Sequence, residues 1–155
     1  DTGEETMTGG RIKRGIEDLN EDKFMLTYGD GISDVNIREL TNFFENSSFK
    51  AVVTAVRPPA RFGRLKLDKD NVTEFGEKNQ TDEGWINGGF FVLDKSVIDY
   101  IPDDQTIFEK EPLENLSKDG KLGAFIHEGF WQPVDTIREK EILEEKFLTD
   151  PLDWL

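Results

Sequence analysis

Asp30 stands where a carboxylate can do chemistry. It lies in Gly29-Asp30-Gly31, directly after the apolar run Phe24-Met25-Leu26-Thr27-Tyr28, and Asp135 follows Phe130-Trp131-Gln132-Pro133-Val134. An acid after a strand, among residues that let the backbone turn, is how open α/β sheets present a functional group. Asp30 has no basic residue beside it, so it suits a hard divalent cation. Both acids have an ordinary explanation: Asp and Gly are common turn residues, and Asp135 sits where a helix N-cap would sit. Gly9-Gly10, with Thr8 and Arg11, could receive an anion at a helix N-terminus, or could be a plain helix start capped by Thr8. Asn87, beside Gly88-Gly89 within a strand, offers a donor and an acceptor where a ligand could approach. His127 is the only histidine. A multi-histidine metal site is therefore excluded, and at a strand end His127 reads as structural. The acidic turn Asp68-Lys69-Asp70-Asn71 and the stretch Asp30-Gly31-Ile32-Ser33-Asp34 both fail the EF-hand pattern, and the first reads as a hairpin turn.

The elements that must position these residues follow from the apolar pattern. Ile12, Ile16 and Leu19 predict a first helix from Thr8. Residues 24–28 predict a buried strand, and a helix with Val35, Ile37, Leu40, Phe43 and Phe44 starts at Asp34 and ends near Glu45-Asn46-Ser47. Lys50-Ala51-Val52-Val53-Thr54-Ala55-Val56 is a second buried strand, completing a right-handed βαβ unit that Pro58-Pro59 terminates. A hairpin over 63–78, a glycine-interrupted strand over 85–93, helices over 96–101 and 107–116, and a strand over 121–127 follow. A long helix closes the pattern, with Ile137, Ile142, Leu143, Phe147 and Leu148 on its apolar positions and a solvated acidic and basic face. The apolar tail Pro151-Leu152-Asp153-Trp154-Leu155 could dock on another surface. The expected fold is α/β, a Rossmann-like mixed sheet flanked by helices, with antiparallel additions.

At 155 residues the chain fits one domain, and 12 Phe and 3 Trp supply core material despite 34% charged residues. A net charge of −14 opposes nucleic acid and anionic membrane, yet admits a nucleotide whose charge a metal ion offsets. No Cys is present, which removes disulfides and thiolate zinc sites and fits the cytoplasm. No apolar run approaches membrane-spanning length, and Asp1-Thr2-Gly3-Glu4-Glu5 is unlike a signal peptide.

In order, Thr8-Gly9-Gly10-Arg11, Thr27-Tyr28-Gly29-Asp30-Gly31, Pro58-Pro59-Ala60-Arg61-Phe62-Gly63, Ile86-Asn87-Gly88-Gly89-Phe90-Phe91-Val92, Glu111-Pro112-Leu113 and Gly129-Phe130-Trp131-Gln132-Pro133-Val134-Asp135-Thr136 resemble the glucose-1-phosphate cytidylyltransferases. These CDP-glucose pyrophosphorylases belong to the sugar-phosphate nucleotidylyltransferases, with a fold of nucleotide-diphospho-sugar transferase type. The resemblance implies Mg²⁺-dependent transfer of a cytidylyl group from CTP to glucose 1-phosphate. It implies Asp30 and Asp135 as the magnesium-holding catalytic pair and Lys78 as the lysine that meets the sugar phosphate. Glu77, Asn87 and Gly88 would face glucose hydroxyls, Thr6 and Arg11 the nucleotide or its phosphates, and Gly29 would leave room beside Asp30. Arg61 and Arg64 would belong to the site or to a subunit contact, and self-association into a homo-oligomer is implied. Two features depart from the family. Its glycine-rich loop and Pro-Lys-Pro stretch have no counterpart, so residues 1–155 correspond to the C-terminal part of one domain, without the nucleotide-binding N-terminal segment. Glu77-Lys78-Asn79 stands where the family has Glu-Lys-Pro. The alternatives are a non-catalytic sugar-phosphate-binding or oligomerisation fragment, or a related pyrophosphorylase using another nucleotide.

Overall fold

The structure is a computed structural model, and it describes residues 1–58, 63–68, 71–77 and 84–149. Pro59, Arg61, Lys78 and the tail 151–155 lie outside the described residues. The chain divides into two compact units, one of Asp1–Tyr28, Asn36–Thr54 and Gly89–Phe125, the other of Gly29–Val35, Ala55–Gly88 and Ile126–Leu155.

A four-stranded sheet organises the first unit. Strands β1 (Lys23–Thr27), β3 (Ala51–Val56), β6 (Ile86–Asp94) and β7 (Leu122–Ile126) stand in the order β1-β6-β3-β7. β1 and β6 are antiparallel, in register from Lys23↔Asp94 to Thr27↔Phe90. The Asp94 N–H donates to the Lys50 carbonyl at 2.8 Å, so the start of β3 meets the end of β6 and these two are antiparallel as well. Bonds from Ala51 N–H to Lys121 O (3.1 Å) and from His127 N–H to Ala55 O (2.9 Å) run β3 and β7 parallel. The sheet is therefore mixed. β1 and β3 point the same way, as a βαβ unit requires, but β6 lies between them and β1 is at the edge.

Period-two alternation sends side chains of β6 to opposite faces. Phe91 and Leu93 join Ile12 and Ile16 of α1 (Thr8–Glu17), Phe108, and Leu116 of α3 (Glu111–Lys118). Val92 joins Leu40 and Phe44 of α2 (Ile37–Glu45) and Val52. Helices thus cover both faces, which is the expected α/β architecture. Tyr28 packs on Phe91 at 5.7 Å between ring centroids, and Phe91 on Phe108 at 5.9 Å.

Several boundaries differ from the sequence reading, each for a local reason. Thr8 is not the cap of α1: Met7 holds that position without a side-chain bond. The Thr8 hydroxyl instead accepts from Phe108 N–H at 2.9 Å and donates to Glu109 at 2.6 Å. The Gly9-Gly10 pair has a packing reason, since a Cβ there would come within 2.7 Å of Thr106 O and 2.6 Å of Asp104 Cα. α2 starts at Ile37 and not at Asp34, because Asn36 caps it by accepting from Glu39 N–H at 3.1 Å. Lys95–Tyr100 is a 3-10 helix capped by Asp94. α3 begins at Glu111 rather than Ile107, with Pro112 in its first turn, and Gly120 at φ +65° follows its end.

The second unit contains two small antiparallel pairs. β4 (Gly63–Asp68) and β5 (Asn71–Glu77) form the expected hairpin, with an irregularity between Lys66 and Leu67. β2 (Gly31–Ser33) pairs with β8 (Trp131–Pro133), and α4 (Ile137–Thr149) follows β8. Among the described residues no helix is long and apolar enough to cross a membrane.

Candidate functional site

The β2–β8 ribbon decides where the two candidate acids go. Its register is Gly31↔Pro133, Ile32↔Gln132 and Ser33↔Trp131. One step further out, the Val134 N–H donates to the Asp30 carbonyl at 2.8 Å. Asp30 thus enters the ribbon at the end where Val134-Asp135 leaves it, and the two acids share that end although more than a hundred positions separate them. Both are exposed, and neither carboxylate has a hydrogen-bond or ion-pair partner among the described residues.

The capping explanation for Asp135 is overturned. Thr136 is the residue before α4, and its hydroxyl accepts from Glu139 N–H at 3.2 Å. Glu139 reaches back to accept from the N–H groups of Asp135 and Thr136, both at 3.0 Å. This is a reciprocal capping box. The backbone of Asp135 is used by the cap, and its carboxylate is not.

Gly29 and Asp30 border a hollow of about 430 Å³, lined also by Ile32, Val134, Lys140 and Leu143. A Cβ on Gly29 would meet nothing within 4 Å, so the space beside the Asp30 turn is open. Lys140, on the rim, is paired with Glu144 at 3.2 Å. A pair of carboxylates, with water and a ligand's own oxygens completing the shell, is what Mg²⁺ accepts. Among the described residues no group of three or more His, Asp or Glu is gathered as a denser cation cage.

Asn87 and Gly88 belong to this unit as well. The Trp131 indole N–H donates to the Gly88 carbonyl at 2.8 Å, so β8 holds the glycine step of β6 beside the ribbon. Asn87 is exposed, and Gly88 is buried. Glu77 is the last residue of β5, opposite Gly63.

Thr6 and Arg11 belong to the first unit. Thr6 is buried. The Arg11 guanidinium donates to the Thr2 hydroxyl at 2.9 Å and the Glu4 carbonyl at 3.2 Å, which commits it to pinning the N-terminal segment. A 300 Å³ hollow beside it is lined largely by Ile12, Ile16, Phe24, Leu26 and Tyr28.

Three side-chain ties escaped the sequence reading. Trp131 is a tie between strands, a role its place in an aromatic run does not reveal. Glu109 accepts from both the Thr8 and the Tyr28 hydroxyls, and no local pattern marks it. His127 pairs with Asp34 at 2.8 Å.

Comparison with known proteins gives this geometry a context. Residues 6–140 match the family described as nucleotidyl transferase. The glucose-1-phosphate cytidylyltransferase of Salmonella typhi is 50% identical over 145 residues, covering 93% of this chain and 56% of that protein. The probable glucose-1-phosphate cytidylyltransferase of Bacillus subtilis is 42% identical over the same shares of each. Among solved structures, HddC from Yersinia pseudotuberculosis superposes with a TM-score of 0.68 at 25% identity, covering 94% of this chain and 64% of that one. The chain spans little more than half the length of these curated relatives.

Proposed function

This chain belongs to the nucleotidyl transferase family, and on that premise we propose that it is the C-terminal part of a glucose-1-phosphate cytidylyltransferase. The reaction joins the cytidylyl group of CTP to glucose 1-phosphate, forming CDP-glucose and releasing pyrophosphate. The observation that carries this reading is the meeting of Asp30 and Asp135 at one end of the β2–β8 ribbon, both carboxylates without a protein partner among the described residues.

In-line attack of a sugar-phosphate oxygen on the α-phosphorus needs positioning and charge neutralisation more than covalent help. Mg²⁺, held by Asp30 and Asp135, would supply that neutralisation to the phosphate oxygens. It would also reconcile a chain of net charge −14 with a polyanionic substrate. The open space at Gly29 lets a phosphate approach the turn. The Asn87 amide, the Gly88 backbone and Glu77 would hold glucose hydroxyls, and Lys78 would give the sugar phosphate a flexible point charge. With Arg11 engaged by Thr2 and Glu4, a phosphate role for it requires those bonds to open.

The domain reading is part of the proposal. β1 is an edge strand, Met25 on it is 61% exposed, and an apolar hollow lies along it. An open edge with apolar walls calls for a further strand, which the additional length of the relatives would supply as the nucleotide-binding segment. Self-association into a homo-oligomer, implied by the family resemblance, belongs to the same proposal.

The test is a nucleotide and sugar panel on the chain extended upstream to the length of its relatives. CTP with glucose 1-phosphate should give CDP-glucose at least about tenfold faster than GTP, UTP or dTTP give their own nucleoside diphosphate glucoses, a preference within reach of a site that hydrogen-bonds the base. Preference for another base would overturn cytosine specificity. Product from no pair would overturn the enzyme reading.

A further inference from the structure

We propose that His127 is a positioning residue for the Asp30–Asp135 pair, acting through the ribbon and not on any ligand. The inference rests on the reading of those two acids as the cation-holding pair. It is carried by the arrangement at the opposite end of the ribbon, which that reading does not use.

At that end a single nitrogen, His127 Nε2, faces three oxygens. Asp34 Oδ1 is at 2.8 Å, Ser33 Oγ at 3.2 Å and the Phe130 carbonyl at 3.2 Å. The tautomer follows from who donates. The Ser33 hydroxyl gives its proton to the Phe130 carbonyl at 2.8 Å and accepts from Val35 N–H at 3.2 Å. Ser33 Oγ, the carbonyl and the carboxylate are therefore all acceptors toward the ring, and Nε2 must carry the hydrogen. The histidine side chain is 11% exposed and Asp34 is solvent-exposed, so loss of this N–H removes a donor shared by both arms without cutting the Asp34 carboxylate off from water.

The acceptors belong to both arms. Ser33 ends β2 and Asp34 follows it; Phe130 precedes β8. The Asp34 N–H also donates to the Phe130 carbonyl at 3.2 Å, and the His127 N–H is anchored on Ala55 O at 2.9 Å. His127 thus clamps both strands of a ribbon only three residues long per arm. Two strands that short are unstable alone, and a one-residue slip would carry Asp30 away from Val134-Asp135. Gly129 shows how closely the clamp is built. A Cβ there would lie 2.5 Å from Asp34 Oδ1 and 2.7 Å from His127 Cε1, so any side chain would force the pair apart.

The experiment uses amide NMR on the 155-residue chain with two readouts. The first is hydrogen exchange at Val134, whose bond to Asp30 O reports register at the carboxylate end. The second is broadening of amide signals around Asp30 and Asp135 during titration with Mn²⁺ alone. His127→Leu should speed Val134 exchange by about tenfold and raise the Mn²⁺ midpoint by about tenfold, as loss of a supporting hydrogen bond does in metal sites. His127→Gln, which keeps a donor near the Nε2 position, should restore most of both. Gly129→Ala should reproduce the loss with His127 present, which keeps the test available if His127→Leu does not fold. Unchanged Val134 exchange in folded His127→Leu and Gly129→Ala would overturn the inference. Equal losses in the Leu and Gln variants would also overturn it, because a packing role alone predicts them. If the unmodified chain takes no Mn²⁺ at the pair while Val134 exchange still follows His127, the cation reading fails and the positioning role stands.

Discussion

Single side chains in this protein are explained by who their partners are. Thr54 is fully buried on β3, and its hydroxyl has no hydrogen-bond partner among the described residues. Thr54→Val should therefore raise the unfolding free energy by about 1 kcal/mol in a urea titration, since the unmet polar group costs about that much. Asp94 shows the opposite case. Burial pushes its carboxyl up, but the Ser96 hydroxyl and N–H, helped by Lys50 and Lys23, outweigh that and leave it below the ordinary carboxylate range. A lowered folded-state value means its contribution is present above the ordinary carboxylate value and lost as pH falls through the lowered one. Asp94→Ala should cost about 1 kcal/mol at neutral pH as a lost cap. The gap to the unmodified chain should close as urea melts are repeated below about pH 4; a pH-independent gap would contradict the account. Residue types alone made Asp30 visible, because its glycine neighbours are local, whereas Asp135 stood out only through the family resemblance. The hydroxyl partners of Glu109 and the acceptors around His127 were not visible, because Ser33 and Phe130 are 97 positions apart.

Elements were legible where their cause is local and illegible where it is not. Apolar runs marked β1, β3, β6 and β7, and helical spacing marked α1, α2 and α4. Helix starts were less legible, because several Ser, Thr, Asp and Asn residues compete for each cap and only one bonds the backbone. The start of α4 separates two roles cleanly. Thr136→Ala should lose about 1 kcal/mol, whereas Asp135→Asn should stay within about 0.5 kcal/mol of the unmodified chain in the same urea series. A larger loss in Asp135→Asn would return that acid to a capping role. Gly89 has φ +79°, and a Cβ on it would sit 2.9 Å from Tyr28 Cδ2. The Tyr28 N–H donates to its carbonyl at 2.9 Å. Gly89→Ala should therefore cost about 2 kcal/mol or more, from strain and from the displaced ring together.

For the chain as a whole, the sheet order was the least legible feature. Nothing local to Phe24-Met25-Leu26-Thr27-Tyr28 says that this strand, apolar enough for a sheet centre, stands at an edge. An open edge invites pairing, and a net charge of −14 opposes it at low ionic strength. Sedimentation velocity should show association growing as salt screens that charge, and a monomer at every salt concentration would contradict the open-edge account. The central claim is that Asp30 and Asp135 act as one cation-holding unit in nucleotidyl transfer, and Mg²⁺-dependent pyrophosphate release from CTP and glucose 1-phosphate tests it most directly. In the chain extended to its relatives' length, Asp30→Asn and Asp135→Asn should each lower kcat by about a hundredfold or more, with the double variant little worse than the weaker single one. Turnover within about threefold of the unmodified enzyme in either folded variant, well short of what a transition-state contact supplies, would contradict the claim.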